Sequence, residues 1–128
     1  MKRFLIYFLV VISALACSKD ELETKQEYED ELRARFQEIE NFIAQGNCKS
    51  SDECDYLPLG DKPCGGPRSY VIFSNSIDRE KLEVMVERYT RLEKEYNEKF
   101  GVYSDCSFVS PPQNVGCINS KCARIMNE

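Results

Sequence analysis

Histidine and tryptophan are both missing from the 128 residues of this chain. A hydrolase of the Ser-His-Asp or Cys-His type needs an imidazole as its base, so both types are excluded. Basic side chains are in the minority, because 17 Lys and Arg face 22 Asp and Glu and give a net charge of −5. Nucleic-acid binding requires a basic surface. The composition therefore argues against a nucleic-acid partner.

Closely spaced metal or redox ligands are also scarce. No Cys-x-x-Cys motif is present, and the closest cysteines, Cys117 and Cys122, have four residues between them. The acidic sequence at residues 52–55 fits no EF-hand spacing, so we interpret it as a solvated loop rather than a calcium site. We expect no metal, no cofactor and no enzymatic activity. A pair of catalytic carboxylates stays open as the one enzymatic alternative.

The N-terminus has the pattern of a secretory leader. Lys2 and Arg3 precede an uncharged run of 13 residues from Phe4 to Ala16. A membrane-spanning helix needs roughly 20 apolar residues, so this run is too short to span. A basic start, a short apolar core and small residues at its end predict a signal peptide over residues 1–16. The alternative is a buried N-terminal helix.

The junction at Cys17 resembles that of bacterial lipoproteins of the Bacteroidetes type. Ala16 and Cys17 match the small residue before the cut and the modified cysteine; the usual Leu three residues before the cysteine is replaced by Ala14, with Leu15 next to it. The resemblance implies cleavage before Cys17, a diacylglycerol on its sulfur and an acyl chain on its amino group. Two or more chains give stable anchoring where one does not.

The residues after Cys17 resemble an export signal to the outer face of the outer membrane. Lys19, Asp20 and Glu21 form the basic-acidic-acidic pattern. A helix capping box from Ser18 to Glu21 is the alternative. The resemblance implies a protein of the bacterial cell envelope, anchored in the outer membrane and facing either the periplasm or the exterior. We expect residues 17–27 to form the anchor and a charged spacer, and residues 28–128 to form one domain.

Removal of the leader takes away two basic residues and no acid, so the net charge becomes −7. Such a domain is repelled by anionic lipid, so we expect it to contact the membrane only through the lipid attached to Cys17.

When Cys17 is set aside, an even number of cysteines remains, which in a small exported domain predicts three disulfides. Each contributes about 2–4 kcal/mol of stability. The six are Cys48, Cys54, Cys64, Cys106, Cys117 and Cys122.

Two long helices are predicted from apolar residues spaced three and four apart. The first covers Asp20 to Gln45, and packing within this chain is preferred over a coiled-coil partner. The second is capped by Asn75 or Ser76 and ends at Gly101. Their apolar positions are Tyr28, Leu32, Phe36, Ile39 and Ile43 in the first, and Leu82, Met85, Val86, Tyr89, Leu92, Tyr96 and Phe100 in the second.

The remaining segments predict a short antiparallel sheet, and with it an α+β class: a small disulfide-braced domain with two long helices. Residues Asn47 to Pro67 are expected to form a loop. Arg68 to Ser74 is apolar on both faces and is expected to be a central strand. Val102 to Val109 is expected to be a second strand, followed by a stiff connection. Gly116 to Met126 is expected to be a hairpin turning at Asn119 and Ser120.

Six cysteines allow fifteen pairings. We prefer Cys48 with Cys54, Cys106 with Cys117, and Cys64 with Cys122, and Cys117 with Cys122 is the competitor. The arrangement of Cys-Gly-Gly-Pro, strand, long helix, Pro-Pro and hairpin resembles a group of secreted cysteine-rich bacterial proteins over Cys48 to Arg124. That resemblance implies a fold and no activity.

The function predicted for the mature chain is a non-enzymatic binding module with a protein or glycan partner. Two stiff loops, Gly65-Gly66-Pro67 and Pro111-Pro112, are the candidate binding surfaces because loops on a rigid scaffold commonly carry function. Simple closure of the fold is the alternative explanation for these loops. The chain is expected to act as such a module, as a protease-inhibitor-like protein, or as a structural envelope lipoprotein that associates through its first helix.

Overall fold

A computed structural model describes residues 22–125, which form two long helices and two small antiparallel sheets. The predicted α+β class with three disulfides is confirmed. The leader, Cys17 and the Lys19-Asp20-Glu21 signal lie outside the described residues. The elements in chain order are α1 (Lys25–Ala44), a 3₁₀ turn (Ser51–Glu53), β1 (Cys54–Leu59), β2 (Ser69–Ser74), α2 (Arg79–Phe100), β3 (Val115–Ile118) and β4 (Lys121–Arg124).

Helix α1 begins later than the sequence pattern predicted. Thr24 caps it: its hydroxyl accepts from the backbone N–H of Glu27 at 3.2 Å, while the Glu27 carboxylate accepts from the Thr24 N–H at 2.8 Å. This reciprocal box satisfies two of the donors that a helix start leaves open. The apolar stripe then faces α2, with Tyr28 and Ile39 buried.

Helix α2 follows its predicted stripe closely. Asp78, rather than Asn75 or Ser76, is the N-cap, because its carboxylate accepts from the backbone N–H of Lys81 at 3.0 Å. Gly101 ends the helix in the left-handed conformation, with φ of 57°. Neither helix in the part of the chain that the structure describes has the length and apolarity needed to cross a bilayer.

The first sheet corrects two predictions. The segment predicted as a loop, Asn47–Pro67, contains strand β1, which pairs antiparallel with β2 from Cys54 opposite Ser74 to Leu59 opposite Ser69. Within the described residues β2 has no second partner, so it is not a central strand. Pro58 and Asp55 break the apolar pattern of β1, so its own sequence does not predict a strand. The segment is a strand because it pairs in register with β2.

The core lies between the helices and this sheet. It consists of Ile39 from α1, Leu59 and Phe73 from the strands, and Leu82 and Val86 from α2. Phe73 and Leu82 are fully buried, and each such side chain contributes about 1.5–3 kcal/mol through removal of apolar surface from water. The buried apolar residues of β1 and β2 therefore pack with those of both helices in a single hydrophobic core.

The predicted hairpin is confirmed. Strands β3 and β4 are joined by Asn119 and Ser120, both with positive φ (51° and 62°), as a two-residue turn with left-handed central residues requires. The register sets Cys117 opposite Cys122. By contrast, the predicted strand Val102–Val109 is wrong: in the described structure this segment has no strand partner and is irregular.

All three preferred disulfide pairings are wrong, and so is the competitor. The bridges are Cys48–Cys117, Cys54–Cys122 and Cys64–Cys106, with sequence separations of 69, 68 and 42 residues. The preferred set included one long-range pair, Cys64 with Cys122, but it placed Cys48 and Cys54 in one local bridge, whereas the structure bonds each of them to the hairpin. The hairpin instead folds back onto the start of β1, so that its two opposed cysteines each bond a cysteine from the 48–54 segment.

The molecule therefore has two ends. At the hairpin end, the C-terminus of α1, the 3₁₀ turn and the hairpin meet around the first two bridges; the Lys121 ammonium group donates to the carbonyls of Ala44 and Gly46 at 2.7 Å each. At the loop end, the start of α1 packs on the end of α2, α2 contacts residues 60–68, and the third bridge joins that segment to residues 102–109. The Tyr28 and Phe100 rings pack edge to face there at 5.5 Å.

Candidate binding site at the loop end

Two irregular segments build the candidate site. The first is the β1–β2 connection, residues 60–68, and the second is residues 102–109, which we call the tethered loop. The Cys64–Cys106 bridge joins them, with 5.3 Å between the Cα atoms. Cys106 has a φ of 54°. This left-handed conformation costs a non-glycine residue roughly 1–2 kcal/mol, so the bridge holds a backbone geometry the chain would otherwise avoid.

Lys62, together with the Cys64–Cys106 bridge, holds the tethered loop in place. Its side chain is 11% exposed, and its ammonium group donates to the Asp105 carboxylate at 3.2 Å and to the Ser107 hydroxyl at 3.1 Å. It also donates to the Ser107 carbonyl. The backbone N–H and hydroxyl of Ser107, together with Lys62, lower the pKa of Asp105 to about 2. The loop is thus held by polar contacts that need no strand partner.

Helix α2 holds the β1–β2 connection in place through hydrogen bonds and an ion pair. The buried Glu93 carboxylate accepts from the Asp61 backbone N–H at 2.7 Å and from the Arg68 guanidinium at 2.6 Å. Asn97, also buried, donates to the Asp61 carbonyl at 2.7 Å. Gly60 has φ of 80°, and a Cβ there would overlap the Glu93 carboxylate. The connection therefore lies directly against the helix and has little freedom.

Two aromatic side chains project from this fixed base. Tyr103 is 97% exposed and Phe108 is 82% exposed, the highest values among large hydrophobic residues in the described part of the chain. A polar groove of about 320 Å³ opens beside Tyr103, lined by Lys62, Pro63, Arg68, Tyr103, Ser104, Asp105 and Ser107. Tyr103 lines this groove and Phe108 does not. Exposed aromatic side chains are of the kind that protein interfaces use.

The predicted binding loops are placed differently from one another. Gly65 and Gly66 form a turn with φ of 92° and 83°, and a Cβ at either would meet nothing within 4 Å. They and Pro67 lie in the connection that Cys64 ties to the tethered loop, so they belong to the site. Pro111 is exposed but Pro112 is buried, so Pro112 serves packing rather than presentation.

Sequence reasoning missed Tyr103 and Phe108 as site residues because it assigned Val102–Val109 to a strand. A contrary signal was present: the Ser-Asp-Cys-Ser sequence at 104–107 is rich in residues that hydrogen-bond their own backbone and favour turns. In the structure the Ser107 N–H and hydroxyl do bond the Asp105 carboxylate, at 3.1 and 2.9 Å.

No family model matches this chain, and comparison with curated proteins and with solved structures gave no significant match. The function is therefore argued from the residues and geometry above.

Proposed function

We propose that the chain is a lipoprotein of the bacterial outer membrane, anchored through Cys17, that binds a partner protein through the tethered loop. The observation that carries the proposal is the exposure of Tyr103 and Phe108 on a loop fastened by a disulfide and by Lys62. A fastened loop loses little conformational entropy on binding, and large aromatics contribute most per residue at interfaces.

The position of the anchor supports a partner in the same membrane. The Lys99 ammonium group donates to the carbonyl of Leu22 at 2.9 Å, so the described N-terminus lies at the end of α2. Tyr103 follows Lys99 by four residues. Leu22 is the fifth residue after Cys17. An extended chain spans at most about 3.6 Å per residue, so the two are at most about 18 Å apart. A lipid on Cys17 would keep the loop end close to the bilayer.

The structural alternative, in which α1 recruits envelope partners, finds less support. The stripe of α1 faces α2 within the chain: the Phe36 and Tyr89 rings lie 6.2 Å apart, and Ile39 is in the core. A helix that has buried its apolar face offers little for a coiled coil. Inhibition of a protease would use the same tethered loop, and it is one outcome of the test below.

The test is site-specific photocrosslinking in bacterial cells. A photoreactive amino acid replaces Tyr103 or Phe108 at the loop end, and Ile118, which is 46% exposed at the hairpin end, is the matched control. We expect a discrete protein adduct from positions 103 and 108 and none from 118. Combining the probe with Cys64→Ser/Cys106→Ser should remove the adduct while the domain stays folded.

Equal adducts from all three positions, or adducts with lipid alone, would contradict the protein-binding proposal. The anchor is tested separately by the intact mass of the chain from the membrane fraction: a chain that begins at Cys17 and carries lipid mass is expected. A chain from the membrane fraction that carries no lipid mass on Cys17 would rule the anchor out.

A further inference from the structure

Three arginine side chains line one groove between the two helices. The groove has a volume of about 350 Å³ and is lined by Arg35 of α1 and by Arg88, Arg91, Leu92 and Glu95 of α2. This volume is within the range of small-molecule sites. The chain as a whole is acidic, whereas this lining carries three positive groups and one negative group. We call it the arginine groove.

The packing of the two helices brings these residues together. Arg88, Arg91 and Glu95 are spaced three and four residues apart in α2, so they share one face of the helix. The Phe36 ring of α1 and the Tyr89 ring of α2 lie 6.2 Å apart and hold the two helices together at this level. Like charges three residues apart destabilise a helix. An anion bound between the arginines would relieve that repulsion.

Two of the arginines are held by glutamates that do not line the groove. The Nε of Arg35 donates to the Glu31 carboxylate at 2.8 Å, and one terminal nitrogen of Arg91 donates to the Glu87 carboxylate at 2.8 Å. Each pair uses one nitrogen, whereas a guanidinium group has five N–H donors. Arg88 has no ion-pair partner among residues 22–125. The three guanidinium groups therefore keep donors for a ligand in the groove.

We propose that the arginine groove binds a phosphate monoester carried by a sugar. Guanidinium groups bind phosphate oxygens through paired N–H donors, and three of them suit an anion with two negative charges. The ionised Glu95 carboxylate only accepts hydrogen bonds, so it suits a sugar hydroxyl beside the phosphate. Soluble sugar phosphates and phosphorylated glycolipids both carry this group. The proposal does not depend on the tethered loop.

The experiment is a titration of the full chain in maltoside detergent micelles. The ligands are glucose 6-phosphate, glucose as the matched control without phosphate, and micelles that contain monophosphoryl lipid A. NMR follows the side-chain Nε–H signals of Arg35, Arg88 and Arg91. Arg88→Gln/Arg91→Gln is compared with Arg33→Gln/Arg124→Gln, which removes the same charge from exposed residues outside the groove.

We expect the three arginine signals to shift with at least one of the phosphorylated ligands and not with glucose. Arg88→Gln/Arg91→Gln should bind on the order of 10-fold more weakly, since hydrogen bonds between charged groups are lost, and the control variant should bind as the wild type does. Binding of glucose 6-phosphate would identify a soluble ligand, and binding confined to the lipid micelles would identify a glycolipid.

No binding of either phosphorylated ligand, or equal affinity of the two double variants, would overturn the proposal. Thermal unfolding checks that both variants are folded. Arg88→Gln alone breaks no ion pair among residues 22–125 and gives the same test if the double variant unfolds.

Discussion

The two ends of the molecule use disulfides for different purposes. At the hairpin end, one bridge joins β3 to Cys48, just after α1, and the other joins β4 to the start of β1. Backbone hydrogen bonds between paired strands satisfy the polar groups there. At the loop end, one bridge and Lys62 hold a segment that has no strand partner and displays two exposed aromatics. The two bridges at the hairpin end therefore close the fold, whereas the bridge at the loop end holds an exposed surface in place.

The largest expected loss of stability comes from removing a disulfide, and two variants compare a bridge at the hairpin end with the bridge at the loop end. Cys54→Ala/Cys122→Ala removes a cross-link over 68 residues and should lower the free energy of unfolding by about 4 kcal/mol. Cys64→Ala/Cys106→Ala should cost less, about 2 kcal/mol, because the tethered loop regains freedom in the native state and recovers part of the entropy. Urea unfolding of both variants measures this difference. A larger loss at the loop end would break the comparison.

Alanine substitutions at two glycines of the β1–β2 connection distinguish the stability cost of close packing from that of backbone strain. Gly60→Ala places a methyl group against the Glu93 carboxylate at positive φ, and we expect a loss of about 2–3 kcal/mol. Gly65→Ala meets open space at a similar φ and should cost only about 1 kcal/mol. Thermal unfolding compares the pair. Equal losses would mean that Glu93 does not hold the connection rigidly.

Each end also has one lysine that donates to carbonyls of another segment. Lys62→Met removes a partly buried charge with three acceptors and should cost about 1–2 kcal/mol, with faster amide exchange confined to the tethered loop. Lys121→Met should cost about 1 kcal/mol and increase exchange at the end of α1. Exchange that rises over the whole domain in either variant would argue against two separable ends.

The smallest effect is a pH dependence limited to the loop end. The folded pKa of Asp105 is about 2, which is below the ordinary value of an aspartate. Its contribution is therefore present above pH 4 and is lost as the pH falls through about 2. We expect amide signals of residues 104–107 to change as the pH falls below about 4, with a midpoint near pH 2, and Asp105→Asn to remove that change. A midpoint near pH 4 in the wild type would show that Ser107 and Lys62 do not hold the carboxylate.

Elements built from local pattern could be predicted from the sequence. Helix α2 was found because its apolar residues recur at helical spacing and Gly101 marks its end. The hairpin was found because Asn119 and Ser120 suit a tight turn. Both signals lie within a few neighbouring residues, and the structure confirms both elements.

Features that depend on distant segments could not be predicted. Strand β1 contains Pro58 and an acid and is stabilised by pairing with β2, which the local sequence does not reveal. The disulfide partners lie 42 to 69 residues apart, and which distant cysteines meet is set by how the hairpin packs on the start of β1, which no local sequence pattern encodes. Tyr103 and Phe108 lie on a segment that the Cys64–Cys106 bridge holds, so their exposure could not be inferred while Val102–Val109 was assigned to a strand.

The most direct test of the two-ended arrangement is disulfide mapping of the oxidised protein by mass spectrometry. Trypsin separates Cys117 from Cys122, cleavage before Asp61 separates Cys54 from Cys64, and cleavage after Phe108 separates Cys106 from Cys117. We expect linked peptides for Cys48–Cys117, Cys54–Cys122 and Cys64–Cys106. Peptides that link Cys48 to Cys54 and Cys117 to Cys122 would detach the hairpin from the domain and contradict the account.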